Sequence, residues 1–241
     1  MWKGIQRQFL IPPTYDVSVN ADAEGVLART LEPDGYLVAP STLPLKLLAV
    51  RSGLAAYGKN NVSYMPGKGS FHRLMAFYTD LPADDRCWGE PAMLDRCRTC
   101  TACITACFTH AIDRDRFLLH AERCLTFLNE FAGEFPDWVE SSWHHCVVGC
   151  LQCQALCPEN ARALKSIETG PTFPENETAL LLKGVSQEQL PPELRRKLET
   201  LGLLEYLELL PRNLRVLLDR DRRFDGRVRV RPRHPSDPGA G

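Results

Sequence analysis

The sequence predicts an α+β protein in three folded parts. These are a small N-terminal α/β portion over residues 1–85, a cysteine-rich domain over 86–165 and a helical segment over 178–220, with a flexible basic tail over 221–241. Three observations predict this division. All ten cysteines lie between Cys87 and Cys157. Leucines recur at helical spacing beyond residue 186, and the stretch before residue 85 mixes short strand-like runs with one apolar helical run.

Composition bounds the function. A chain of 241 residues with 44% hydrophobic and 24% charged residues can bury a proper core, as soluble globular proteins do. A net charge of −1 provides no global field to select a polyanion or a membrane surface. The N-terminal stretch MWKGIQRQFLIPPTYD lacks the unbroken apolar core of a signal peptide, and no apolar run is long enough to span a bilayer. A cytoplasmic location without membrane contact is the expectation. In that reducing compartment dense cysteines bind metal or do redox chemistry, whereas a disulfide framework suits short secreted chains.

The elements follow in order. YLVAP (36–40) reads as a strand, and PLKLLAVRSGLAAYG (44–58) reads as a helix. Pro44 suits its first turn, Leu45, Leu48 and Ala49 recur at helical spacing, and Gly58 suits a C-cap. GLAAYGKN (53–60) nearly matches a phosphate-binding loop, but Asn60 stands where a Ser or Thr would reach magnesium, so nucleotide binding is discounted. PGKGS (66–70) reads as a turn, and FLLH (117–120) as strand-like, leading into a helix near Cys124. Residues 161–177 read as a linker on the strength of Gly170, Pro171 and Pro174. Residues 186–220 read as two or three short helices, with Leu194, Leu198 and Leu201 on one face and Gly202 and Pro211 as punctuation. The arginine-rich tail reads as solvated, with a nucleic-acid contact or a short edge strand as the alternatives.

The chemistry sits in CRTCTACITACFTHAI (97–112). Cys100, Cys103 and Cys107 recur as Cys150, Cys153 and Cys157, each fifty residues later, which is an internal repeat of a ligand pattern. Two intervening residues let a tight loop turn its sulfurs and N–H groups toward one cubane, and the longer interval carries the last cysteine away. In two-cluster ferredoxins the fourth cysteine of such a run ligates the other cluster, with proline after it. Pro158 follows Cys157 in that way, while Phe108 follows Cys107. The spacing therefore predicts a ferredoxin-like domain with two 4Fe–4S clusters. Cys97, Cys100, Cys103 and Cys157 form the first ligand set, and Cys107 crosses to the second. A zinc site built from CxxC pairs is the competing reading, but zinc sites separate their pairs by a longer loop. Spacing leaves the second set open: Cys107, Cys150 and Cys153 can be completed by Cys146 or by Cys124. Cys87 is read as inert. His144 and His145 are read as surface or cluster-shielding residues, and Trp138 and Trp143 as packing over the second cluster or the core.

The stretches RSGLAAYGKNN (51–61), GSFHRLMAFYTDL (69–81), CRTCTACITACFTHAI, RCLTFL (123–128) and VGCLQCQALCPEN (148–160) together resemble the double-cluster part of the epoxyqueuosine reductase family, which is itself similar to corrinoid-dependent reductive dehalogenases. The family's cysteine that follows arginine before a helix falls on Cys124. The resemblance thus implies Cys107, Cys124, Cys150 and Cys153 for the second cluster, with Cys146 spare. It also implies an oxidoreductase in which the clusters relay electrons from a donor such as flavodoxin or ferredoxin to a bound cobalamin, which reduces an epoxide in a modified tRNA base. Lys59 and Asn60 match the family's GKN and are expected on the corrinoid or substrate side. The family's proton-donating aspartate falls on Ala39, with Asp34 out of register, and Tyr57 stands in the GLGW-like stretch. Only residues 1–39 precede the matching region, so a shortened corrinoid-binding portion is expected. These departures favour a changed reaction or a second reading, an electron-transfer module that serves a partner protein, while the retained GLAAYGKN and GSF segments favour the reductase reading.

Overall fold

The computed structural model describes residues 2–17, 19–83, 88–165 and 167–219. Cys87 and the basic tail lie outside the described residues, and so do the expectations attached to them.

Helix α1 spans Val19–Leu31 and buries none of its residues, which is why no apolar stripe announced it in the sequence. Strand β1 (Val38–Pro40) follows, within the expected YLVAP. Helix α2 (Leu45–Arg51) begins after Pro44 and buries Ala49 and Val50. It stops well short of Gly58, because the Ser52 N–H closes on the Leu48 carbonyl at 2.9 Å and Gly53 takes φ +77°, a left-handed turn that favours glycine. The rest of the expected helix becomes strand β2 (Ala56–Tyr57), which pairs antiparallel with β3 (Ser63–Tyr64). PGKGS is a turn, with the Gly69 N–H donating to the Met65 carbonyl at 3.0 Å. Strand β4 (Phe77–Thr79) then pairs antiparallel with β1, setting Ala39 opposite Tyr78. Ala49, Val50, Ala55 and Tyr57 make a small core against Met65 and Leu74.

Tyr57 joins this portion to the cysteine domain, receiving the Leu94 N–H at 2.9 Å and donating to the Ala92 carbonyl at 2.8 Å. Three short helices carry that domain: α3 (Ala102–Ala106), α4 (Leu125–Glu130) and α5 (Gln152–Ala155). Helices α3 and α5, one from each cysteine run, pack together. Each run carries a cysteine inside its helix, Cys103 in α3 and Cys153 in α5; Cys107 caps the end of α3, whereas Cys157 caps the start of a 3-10 turn, Pro158–Asn160. FLLH forms no strand; Phe117 and Leu118 are exposed, and the His120 N–H closes a loop on the Ala111 carbonyl at 2.7 Å.

Helix α6 (Glu175–Lys183) starts inside the expected linker, directly after Pro174. Helices α7 (Pro192–Thr200) and α8 (Leu210–Leu218) complete the chain's described part. Pro211 opens α8 from its first turn, where the missing N–H is no loss. The leucines of α6 to α8 converge on Val147 and Val148, and Trp2, Phe9, Ile11 and Tyr15 pack on the same core. The N-terminal segment reaches it through a parallel bridge, with the Leu10 N–H on the His145 carbonyl at 3.2 Å and the Val147 N–H on the Leu10 carbonyl at 3.0 Å. Among the described residues no helix is long and apolar enough to cross a membrane.

Candidate metal centre

The cysteine side chains gather into two groups of four, and each group crosses between the two runs. Burial first, then the closeness of Cys97, Cys157 and Cys100, pushes the Cys103 thiol up to about 12. The Cys97 thiol is raised by burial and by the same neighbours Cys157 and Cys100, while the Lys59 backbone N–H opposes the rise. In the other group burial raises Cys124, with Cys150 and Cys107 adding to it and the N–H groups of Phe127 and Thr126 opposing. Burial carries Cys150 up to about 12, against the Gln152 N–H and with Cys107 adding. Cys153 stands well above the ordinary thiol range through burial, then Cys150, with Cys107 and Cys124 further contributors. The set around Cys103 is thus Cys97, Cys100, Cys103 and Cys157; the set around Cys153 is Cys107, Cys124, Cys150 and Cys153.

Such a donor set fits a polynuclear cationic core. Thiols gathered this closely cannot all ionise together unless a positive centre accepts them, as a metal cluster does. Among the described residues no three His, Cys, Asp or Glu side chains converge closely enough to hold a single ion. Backbone donors are already aimed at the sulfurs: the Ala111 N–H reaches the Cys107 sulfur at 3.3 Å.

Cys146 is 1% exposed; its thiol is raised by burial, with Cys150 adding to the rise and His145 opposing it. His145 is also buried: its Nδ1 donates to the Trp143 carbonyl at 2.9 Å while Nε2 accepts the Leu151 N–H at 3.3 Å, which fixes a neutral ring. His144 is buried edge-on to Phe135, so neither histidine lies at the surface. Trp143 stacks on Phe108, the residue that stands where a proline was expected, while Trp138 is 44% exposed.

Lys59 and Asn60 turn toward the cysteines. Lys59 Nζ donates to the Cys100 carbonyl at 3.2 Å. Asn60, 2% exposed, donates from Nδ2 to the Tyr64 hydroxyl at 2.9 Å and to the Cys153 sulfur at 3.5 Å. Tyr64 in turn faces the Cys157 sulfur; burial first, and this hydrogen bond second, keep its phenol protonated. Gly58 makes the approach possible, since a Cβ there would stand 2.6 Å from Asn60 Oδ1 and clash with the Tyr64 ring. Ala39, at the place of the family's proton donor, is exposed on β1.

Sequence reasoning missed a second polar frame. Asn160, 0% exposed, accepts the Ser70 N–H and donates to the Ser70 hydroxyl, both at 2.8 Å, and also donates to the Gln154 carbonyl at 2.8 Å. Gly69 (φ +75°) permits this contact, because a Cβ there would meet the Glu159 carbonyl at 2.8 Å and the Asn160 amide. On the opposite side Asn129 donates to the Gly149 carbonyl at 2.8 Å, and Asn213 donates to the carbonyls of Asn129 and Val147, both at 2.9 Å. Arg212 donates to the Leu128 carbonyl of α4 at 2.8 Å and to the Phe131 carbonyl just past its end at 2.9 Å, and lies over the Phe135 ring. The advance signal for Ser70, Gln154 and Asn160 was their place in the matching stretches GSF and VGCLQCQALCPEN; Asn129, Arg212 and Asn213 lie outside those stretches.

Comparison with known proteins bears on the same cysteine-rich stretch. Residues 96–160 match the model of a 4Fe-4S double cluster binding domain. The epoxyqueuosine reductase of Cyclobacterium marinum is 36% identical over 113 residues, 46% of this chain and 35% of that one. That of Synechococcus sp. (strain CC9605) is 34% identical over 137 residues, 55% of this chain and 41% of that one. The chain therefore spans about two fifths or less of the length of these curated relatives. A solved epoxyqueuosine reductase from Streptococcus thermophilus superposes with a TM-score of 0.62 at 21% identity, over 87% of this chain and 55% of that one. Another, solved with an epoxyqueuosine-modified tRNA-TYR stem loop, gives 0.59 at 21% identity over 92% and 66%. At these identities the superpositions establish the fold, and over about half of its length the chain is similar in sequence to epoxyqueuosine reductases, with a 4Fe-4S double cluster binding domain matched over residues 96–160.

Proposed function

We propose that this chain is an iron–sulfur redox protein that holds one 4Fe–4S cluster on Cys97, Cys100, Cys103 and Cys157 and another on Cys107, Cys124, Cys150 and Cys153. The observation that carries this reading is the division of eight thiols into two mutually close sets, each drawing on both cysteine runs. Such clusters supply one-electron transfer at low potential. The chain's own residues do the rest: backbone N–H groups stabilise the sulfurs' charge, and α3 packed on α5 keeps the two sets adjacent. Electrons would come from a donor protein such as flavodoxin or ferredoxin and leave to a corrinoid or another acceptor for a reductive reaction. A modified tRNA is the substrate suggested by the relatives' name and by the solved complex with a tRNA stem loop. Lys59 and Asn60 point at the cysteine groups, so no residue is assigned to a corrinoid and no step is derived through one.

Iron content tests the ligand sets. Anaerobically reconstituted wild-type protein is expected to hold about eight irons per chain, Cys146→Ser to keep them, and Cys124→Ser to lose about half or convert one cluster to a three-iron form. The reverse pattern in the two variants would restore the alternative with Cys146 as ligand.

One observation favours the second reading, an electron-transfer module for a partner protein: Ala39 carries no proton to give. A cobalamin titration of the two-cluster protein separates the readings. Tight binding with reduction to cob(I)alamin supports the reductase, whereas clusters that reduce without binding cobalamin support the module.

A further inference from the structure

Asn60 and Tyr64 reach the sulfurs of both sets from one short hairpin, β2–β3. Both side chains are 2% exposed, so their polar hydrogens must find partners inside the protein. One Asn60 N–H goes to the Cys153 sulfur and the other to the Tyr64 oxygen. With its oxygen accepting from Asn60, the phenol directs its own hydrogen to Cys157. Cys153 and Cys157 lie on either side of one helical turn and belong to different sets. A single amide–phenol pair therefore touches both.

We propose that Asn60 and Tyr64 set the reduction potentials of the two clusters, Asn60 through Cys153 and Tyr64 through Cys157. The proposal rests on the ligand sets given above. Reduction adds an electron whose charge spreads onto the sulfurs, and a hydrogen bond donated to a ligand sulfur stabilises that reduced state. Removing the donor therefore lowers the potential of the cluster it touches. The two residues are tuning groups and do not themselves exchange electrons. Tyr64 also lines an open cleft of about 500 Å³ with Arg51, Trp88 and Glu90, a wall that phenylalanine preserves.

The experiment is a potentiometric titration of the full reconstituted chain, followed by electron paramagnetic resonance and paired with iron analysis. Wild-type protein is expected to show two one-electron transitions. Tyr64→Phe should shift one of them about tenfold toward the oxidised form, about 59 mV for one electron, and leave the other in place at unchanged iron content. Asn60→Leu should shift the other transition by a similar factor and the first by less, since Asn60 also polarises the Tyr64 hydroxyl. If the leucine variant loses iron, Asn60→Asp at alkaline pH keeps the shape without the N–H donors and should shift in the same direction. Transitions that stay put in these variants, or that move together by equal amounts, would overturn the proposal. Fewer than two transitions in the wild-type protein would instead unseat the two-cluster reading itself.

Discussion

The two cysteine sets share a rhythm and differ in what holds them. The set with Cys97 and Cys157 is framed by hydrogen bonds: Asn160 locks Ser70 onto the chain after Cys157, Tyr64 reaches the Cys157 sulfur, and Arg96 pairs with Glu159 at 2.6 Å. The set with Cys124 and Cys150 is framed by an apolar core. Val147 and Val148 just before Cys150 sit among the leucines of α6 to α8, and Asn213 and Arg212 clamp the end of α4. A repeated ligand pattern therefore does not require a repeated scaffold. The N-terminal α/β portion serves as one wall and the C-terminal helices as the other.

Breaking the apolar wall should have the largest effect. Leu194 on α7 is 0% exposed within the main core, and Leu194→Ala is expected to destabilise the chain by about 3 kcal/mol through lost burial and a residual cavity. Thermal unfolding should begin several degrees lower. With a chelator present, iron should leave the Cys124–Cys150 set first, which cluster-specific paramagnetic signals can follow. Simultaneous loss from both sets would show that the core supports them equally.

Breaking the polar wall should cost somewhat less. Asn160→Ala deletes three hydrogen bonds and strands the buried Ser70 N–H, a loss of about 2 kcal/mol. The expected signature is the mirror image: faster chelation of iron from the Cys97–Cys157 set, with the other set keeping its wild-type rate. Faster protease cleavage between residues 63 and 80 should accompany it. Unchanged chelation of the first set would mean that the N-terminal portion docks without supporting the ligands.

How much of this was legible in the sequence follows from the physics of each part. The cysteine rhythm is local, and a cubane constrains its ligands at short range, so Cys97 to Cys107 and Cys150 to Cys157 could be read as a repeat. The leucine face of α7 was legible because helical periodicity survives in a single strip of sequence. Helix α1 was not, since a helix without buried residues writes no stripe. The early end of α2 was hidden because Gly53 and Gly58 are equally good stops, and only the tertiary pairing of β2 with β3 decides between them. The asparagines were the least legible. Asn60, Asn129, Asn160 and Asn213 act through contacts as distant as 93 residues along the chain, and asparagine is otherwise an ordinary loop residue.

The smallest expected effect sharpens the polar wall from within. His72 Nδ1 donates to the Gly69 carbonyl at 3.2 Å, which leaves Nε2 to accept from the Ser63 hydroxyl at 3.2 Å, so the folded state holds a neutral ring. Burial lowers its pKa from the ordinary histidine value, with the Gly69 carbonyl partly opposing. The unfolded chain therefore takes up this proton more readily than the folded one. The stabilisation is complete above the unfolded value of about 6.5 and is lost as pH falls through the depressed folded value. Since the ring is partly solvated, screening keeps the effect small, under about 2 °C in the unfolding midpoint. The measurement is the difference in midpoint between wild type and His72→Gln, taken from pH 7.5 to 5.5, in which acid lability of the clusters cancels. The midpoints should converge as pH falls. Parallel curves would mean that the hairpin tolerates the protonated ring, and that Asn160 and Tyr64 alone hold the β2–β3 wall in place.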